Sequence, residues 1–333
     1  MSQPRRVIAG IDEAGLGPLL GPMTVGWSAF RVPRGELNLW DKLRDVVTQS
    51  PREDSRHLVV ADSKRVFARN ARGARRLELT VLAFLDQLAS TGSGPRTPGD
   101  LLTLPPPDLR LRQDALARHP WYAELPQTLP HRVDKDVLSI LSARLQRALV
   151  GQNIELTDGG YCMLPAGELN ASWQDTGNKS LSQWRVSGAL LEHLWLAFGQ
   201  ESLSVFVDRM GGRSHYGRWL AAQFPDAKLE VREERSRQSE YVLSQTTLEG
   251  QLRMRVVFAE RCEERSFSVA LASCFAKYGR ELGMLAFNRF FGGLQPGLKP
   301  TAGYTTDGRR WLKEAEPALS LAGVPQGVLV RDR

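Results

Sequence analysis

Apolar residues in this chain come in short, β-branched bursts and in longer rows at helical spacing, and the two kinds alternate. The first burst, Val7 to Ile11, is closed by a turn signal and predicts a buried strand. A second strand is predicted over 23–30, and a short apolar run follows at 57–61. Apolar residues on one face predict helices over 69–90, 135–149 and 182–198. The run 204–208 reads as a strand ending on Asp208, with a loop over 209–215 and a short helix over 216–224. Strands are predicted at 229–232 and 252–258, and a long helix opens at Ser266. Segment 31–56 is a polar connection with helical content around 39–47. Gly, Ser, Thr and Pro make 91–107 a loop, and 158–180 is a polar stretch. Strands alternating with helices predict an α/β class.

Composition narrows this little. At 333 residues and 37.1 kDa the chain can bury a full core. Its formal charge of +7 and pI near 9.5 suit a polyanionic partner. Cys162, Cys262 and Cys274 are scattered without CxxC spacing, so neither a disulfide framework nor a zinc site is suggested, and a reducing compartment is expected. No stretch has the length of a membrane helix. The N-terminal residues lead straight into the first strand without a signal peptide, so a cytoplasmic protein is expected.

Chemistry concentrates where the first strand ends. Asp12 and Glu13 stand where a buried strand should least carry charge. Gly15, Gly17 and Gly21, with Pro18 and Pro22, then form a turn that a ligand can approach closely. Neighbours on a strand point to opposite faces, so the two carboxylates are expected to share a site only if the chain leaves extended geometry right after Asp12.

The stretch 12–22 resembles the signature of the type 2 ribonucleases H (ribonuclease HII), Asp-Glu-Ala-Gly-Arg-Gly-Pro followed by Gly-Pro, with Leu16 in place of the Arg. Asp62-Ser63-Lys64 is similar to the family's Asp-Ser-Lys-Lys, although Asp62 and Ser63 are also ordinary helix caps. The strand ending at Asp208 resembles the third motif. Ser273, Ala276, Lys277 and Arg280 match Ser-x-x-Ala-Lys-x-x-Arg-Asp, with Glu281 in the Asp position. The turn 302–308 with Tyr304 resembles the tail of one branch of the family. Taken alone, Lys277 and Glu281 would be an i, i+4 surface ion pair. The motifs occur in family order.

The resemblance implies a ribonuclease H-like α/β fold, a mixed sheet flanked by helices. Residues 1–90 and 179–325 form the core, and 91–178 form an inserted subdomain or an elaborated sheet edge. It implies Asp12, Glu13, Asp208 and Glu281 as catalytic carboxylates holding Mg²⁺ or Mn²⁺, since oxygen donors select hard cations. Gly15, Leu16, Gly17, Ser63, Lys64, Ser273, Lys277 and Tyr304 are implied to meet the substrate. The implied activity is a two-metal endoribonuclease cutting the RNA strand of RNA–DNA hybrids, acting as a monomer with nucleic acid as its partner and no membrane. Two alternatives stay open: an inactive nucleic-acid-binding module, and a nuclease of this fold acting on structured DNA. Leu16 removes a guanidinium that would grip phosphate, and Glu281 is one methylene longer than Asp.

Overall fold

The computed structural model describes residues 5–35, 38–88 and 94–332. The extreme N-terminus, and residues 89–93 where the predicted helix ends and the loop begins, lie outside the described residues. Among the described residues nine strands are seen: β1 (Arg5–Ala14), β2 (Met23–Pro33), β3 (Val47–Thr48), β4 (Leu58–Val59), β5 (Glu155–Leu164), β6 (Leu203–Asp208), β7 (Lys228–Glu234), β8 (Gln238–Thr247) and β9 (Gly250–Ala259). The helices that matter for the site are α1 (Ala71–Leu85), α2 (Lys135–Gly151), α3 (Ala166–Thr176), α4 (Lys179–Phe198), α5 (Phe267–Leu294) and α6 (Thr305–Glu314).

Seven strands form one sheet in the order β5-β2-β1-β6-β9-β8-β7, and β3 pairs with β4 apart from it. β1, β6 and β9 run parallel, and the remaining neighbours are antiparallel. The expected mixed α/β sheet flanked by helices is therefore present.

Side-chain alternation divides the sheet into two faces. Val7, Ala9 and Ile11 join Val205 and Val207 in a core that takes in Leu190, Leu191 and Leu194 of α4. The opposite face of β1 and β2 receives α5, whose small residues lie directly on the strands. A side chain at Gly26 would strike the Ala272 carbonyl. Thr24 and Ser28 donate their hydroxyls to the carbonyls of Ala276 (2.6 Å) and Ser268 (2.9 Å). These bonds fix the register of α5 against β2, and with it the height of Ser273 and Lys277 above the sheet.

Segment 91–178 is built into this body. Its strand β5 forms the sheet edge beside β2, and α2 packs on α1. Trp121 stacks edge-on to Phe287 of α5 at 5.3 Å, with Trp311 of α6 4.9 Å from the same ring. The stretch 158–180, expected to be polar, holds most of β5 and all of α3.

Candidate active site

The strands β1 and β6 lie side by side and parallel, with Ile11 opposite Val207. The next residue on each is an aspartate, and both belong to the face that α5 covers. Asp12 and Asp208 therefore meet. Burial first, and then the charge of Asp208, pushes the Asp12 carboxyl well above its ordinary range. The Ser273 hydroxyl on α5 and the Glu13 amide (2.7 Å to Oδ1) oppose that shift by donating to the carboxylate. The Ser273 hydroxyl oxygen also lies within hydrogen-bond distance of the Ser63 hydroxyl, at 3.0 Å, which ties the second motif to the first.

Asp208 is likewise raised, chiefly by burial, while the Cys262 amide donates to its Oδ1 at 3.1 Å and Lys64 lends positive potential. Its other close neighbour is Glu263, which the sequence reading missed. Asp208 pairs with Ala259 across β6 and β9, and the short turn after β9 returns Glu263 to the same place. Glu263 shares a hydrogen bond with Asp208 and is pushed up to about 7, by burial first and then by the charges of Asp208 and Asp62. Its Oε2 is buried without a hydrogen-bond partner. A buried acceptor left this way is costly unless something else engages it.

Glu13 does not depend on the early turn that was expected. β1 keeps pairing with β2 through Ala14, so Glu13 and Asp12 leave opposite faces of the strand. The Glu13 Oε2 accepts from the Leu16 amide at 3.0 Å. Burial raises its pKa against that bond and the attraction of Arg331 and Arg280, and Asp208 raises it further.

Glu281 stands elsewhere. It lies two turns beyond Ser273 on α5, and its carboxylate takes the Lys277 ammonium at 2.6 Å. That ammonium also lies 4.6 Å from the centre of the Phe67 ring. The i, i+4 pair is the arrangement found, and the glutamate beside Asp208 is Glu263. Asp62 is the helix cap its sequence suggests, accepting from the Lys64 amide at 3.0 Å.

The glycine turn is held from below by two buried arginines. Arg280 donates to the carbonyls of Pro22 and Ala302 (3.0 Å to the latter), and Gly15, at φ +90°, lies against its guanidinium. Arg331 donates to the Gly15 and Gly21 carbonyls (2.9 Å from Nε to Gly21). Leu16 packs against the apolar core and faces a cavity of about 530 Å³ lined also by Leu169 and Trp173. Gly17 is exposed, with open space around it.

The tail turn docks on the glycine turn through one carbonyl. Gly303 accepts from the amides of Leu19 (2.7 Å) and Leu20 (3.0 Å). Tyr304 is thereby set beside the glycine turn, 45% exposed, with the Arg69 and Arg280 guanidinium groups 5.4 and 5.9 Å from its ring centre. Gly303 sits at φ +79°, and a Cβ there would strike the Leu20 carbonyl. Gly303→Ala is expected to detach the tail and cost about 1–3 kcal/mol, read as a lower urea midpoint at unchanged m-value.

The donor set suits a hard divalent cation. Asp12, Asp208 and Glu263 offer oxygen donors, desolvated and mutually repelling, and one buried carboxylate oxygen is unsatisfied. Among the described residues no three His, Cys, Asp or Glu side chains are gathered so that they could hold a metal ion.

No family model matches the chain, and no curated protein does. Its structural likeness is to type 2 ribonucleases H. The ribonuclease HII of Archaeoglobus fulgidus, solved with PCNA, is 15% identical with a TM-score of 0.43, over 98% of this chain and 94% of that one. The ribonuclease H2 of Pyrococcus horikoshii OT3 is 14% identical with a TM-score of 0.41, over 97% and 92%. The RNase H3 of Aquifex aeolicus is 14% identical with a TM-score of 0.40, over 97% and 71%. Among the described residues no helix is long and apolar enough to cross a membrane.

Proposed function

We propose that the chain is a divalent-metal-dependent endonuclease of the ribonuclease H kind, hydrolysing the RNA strand of RNA–DNA hybrids. The observation that carries this reading is the meeting of Asp12 and Asp208 on one face at adjacent parallel strand ends, with Glu263 beside them. The order of the sequence motifs supports it independently. Asp12, Asp208 and Glu263 would hold the ion, while Glu13 leaves the other face of β1 and accepts from the Leu16 amide. Bound Mg²⁺ or Mn²⁺ would supply a water of lowered pKa and charge stabilisation at the leaving oxygen.

The protein's own groups orient and bind. The Ser273 hydroxyl holds Asp12 in place, and Lys64 brings positive charge to Asp208 where a phosphate would arrive. The exposed main chain at Gly17 is open to a 2′-hydroxyl, the group that separates RNA from DNA. Tyr304 offers a ring face for the neighbouring sugar.

Three labelled substrates test the reading, each with Mg²⁺ or Mn²⁺: an RNA–DNA hybrid, duplex DNA carrying one ribonucleotide, and branched DNA. Cleavage of the hybrid is expected. Cleavage of branched DNA alone would move the activity to another substrate, and binding without cleavage would leave a binding module. Because Leu16 gives no forked phosphate contact, an RNA tract should be cut in preference to a lone ribonucleotide. Leu16→Arg is expected to raise lone-ribonucleotide cleavage more than hybrid cleavage, by roughly ten-fold if a charged hydrogen bond of about 1.5 kcal/mol is gained in the transition state. Equal gains on both substrates would show that Leu16 does not set the choice.

A further inference from the structure

A cavity of about 240 Å³ opens beside Tyr304, between α5, the segment 67–70 and a turn from the sheet-edge segment at 131–132. Its walls include Phe67, Arg69, His131, Arg132, Tyr278 and Glu281. The turn 131–133 is fastened there by one carboxylate. Glu78 of α1 is fully buried and accepts from the amides of His131 (3.2 Å), Arg132 (2.7 Å) and Val133 (3.0 Å), and from the Tyr278 hydroxyl (2.9 Å). The His131 Nδ1 lies 2.5 Å from the same carboxylate. A buried charge can stay ionised when it is satisfied this fully. Although burial acts against ionisation, His131 and the amide and hydroxyl donors together hold Glu78 below its usual range.

Arg132, on this anchored turn, lines the cavity together with Arg69. Both are exposed, and neither is paired with a carboxylate among the described residues. Arg69 also reaches over the Tyr304 ring. The one carboxylate lining the cavity, Glu281, is neutralised by Lys277. The cavity is therefore lined by two guanidinium groups without carboxylate partners, one of them over the ring face proposed to meet the substrate. Guanidinium forks match phosphate oxygens, and such contacts position a nucleic-acid strand without reading its sequence.

We propose that this cavity is a phosphate subsite for a strand of the bound nucleic acid, formed jointly by Arg69 and by Arg132 of segment 91–178. It rests on the nuclease reading only for what carries the phosphate. The segment thereby acquires a role: it widens the grip on the substrate beyond the carboxylate cluster.

The test is equilibrium binding of the full chain to a fluorescent 18-base-pair RNA–DNA hybrid in Ca²⁺, titrated between 50 and 200 mM salt. Each phosphate contact contributes about 0.9 to the slope of log affinity against log salt. The double variant Arg69→Ala/Arg132→Ala is expected to lose roughly ten-fold or more in affinity and to flatten the slope by about two. Arg147→Ala, which removes an equal charge from the exposed face of α2, controls for net charge and should move the slope by much less than either single variant. Excess inorganic phosphate or mononucleotide should compete poorly with the hybrid; full competition at micromolar concentration would point to a free phosphate ligand and overturn the strand assignment. A folded double variant with wild-type affinity and slope overturns the subsite alone. Failure of the wild-type protein to bind the hybrid overturns the nuclease reading with it.

Discussion

Asp12→Asn is expected to abolish phosphodiester cleavage and, without divalent cations, to make the protein more stable. Losing a metal-ligating carboxylate removes several kcal/mol of charge stabilisation, or roughly a thousand-fold or more in rate. The stability gain follows from the sign of the shift. The folded pKa of Asp12 lies well above its ordinary value, through burial first and Asp208 second. The fold thus favours the neutral acid and loses stability as pH rises from the ordinary carboxylate range up through the raised value. Asparagine keeps the shape and cannot ionise. At neutral pH the melting temperature of the metal-free variant should rise by about 2 °C or more, with the gap closing toward pH 4. An active variant, or a destabilised one at neutral pH, would remove Asp12 from the centre described here.

Glu263→Gln and Glu281→Gln should separate sharply. Glu263 shares a hydrogen bond with Asp208 and has an unsatisfied buried oxygen, so its amide variant is expected to lose at least a hundred-fold in metal-dependent cleavage. Glu281 is committed to Lys277. A partly exposed i, i+4 pair contributes about 0.3–0.5 kcal/mol, so Glu281→Gln should stay within about three-fold of the parent. The reverse order would return the fourth carboxylate to α5. The two variants need only single-turnover rates on one hybrid at saturating Mg²⁺ or Mn²⁺, alongside melting curves showing that both are folded.

The contrast between these two glutamates shows what could be read from the chain itself. Strand ends marked by an isolated carboxylate, Asp12 and Asp208, were legible because an apolar run makes the charge conspicuous. Glu263 was not, because it sits in the run Glu260-Arg261-Cys262-Glu263-Glu264-Arg265, which has the composition of a solvated surface turn. Only the parallel pairing of β9 with β6 brings that turn back to Asp208, and such pairing is not written in local sequence. The available clue was positional: a carboxylate just past a strand and just before the Ser266 cap of the long helix. β8 escaped for a related reason. Its residues, Gln-Ser-Glu-Tyr-Val-Leu-Ser-Gln-Thr-Thr, are largely polar and only partly buried. In β5, Asp158 reads from the sequence as the start of a polar stretch, yet its carboxylate accepts from the Trp27 indole at 3.0 Å and pairs with His193. The helices were read more fully, since a 3.6-residue apolar period is a stronger signal than a half-polar strand.

The arginine clasp beneath the glycine turn also sets an order in time. Arg331 grips the Gly15 carbonyl from 316 positions further along the chain, its backbone amide bonds to the Leu19 carbonyl at 3.0 Å, and Val330 bridges to Leu20. Ribosomes release the chain from its N-terminus, so Asp12 and Asp208 emerge long before their clasp. A nascent chain would carry the acidic residues of the site on an unfastened turn. The turn is fastened only once residue 331 has been made and has reached back to the first strand.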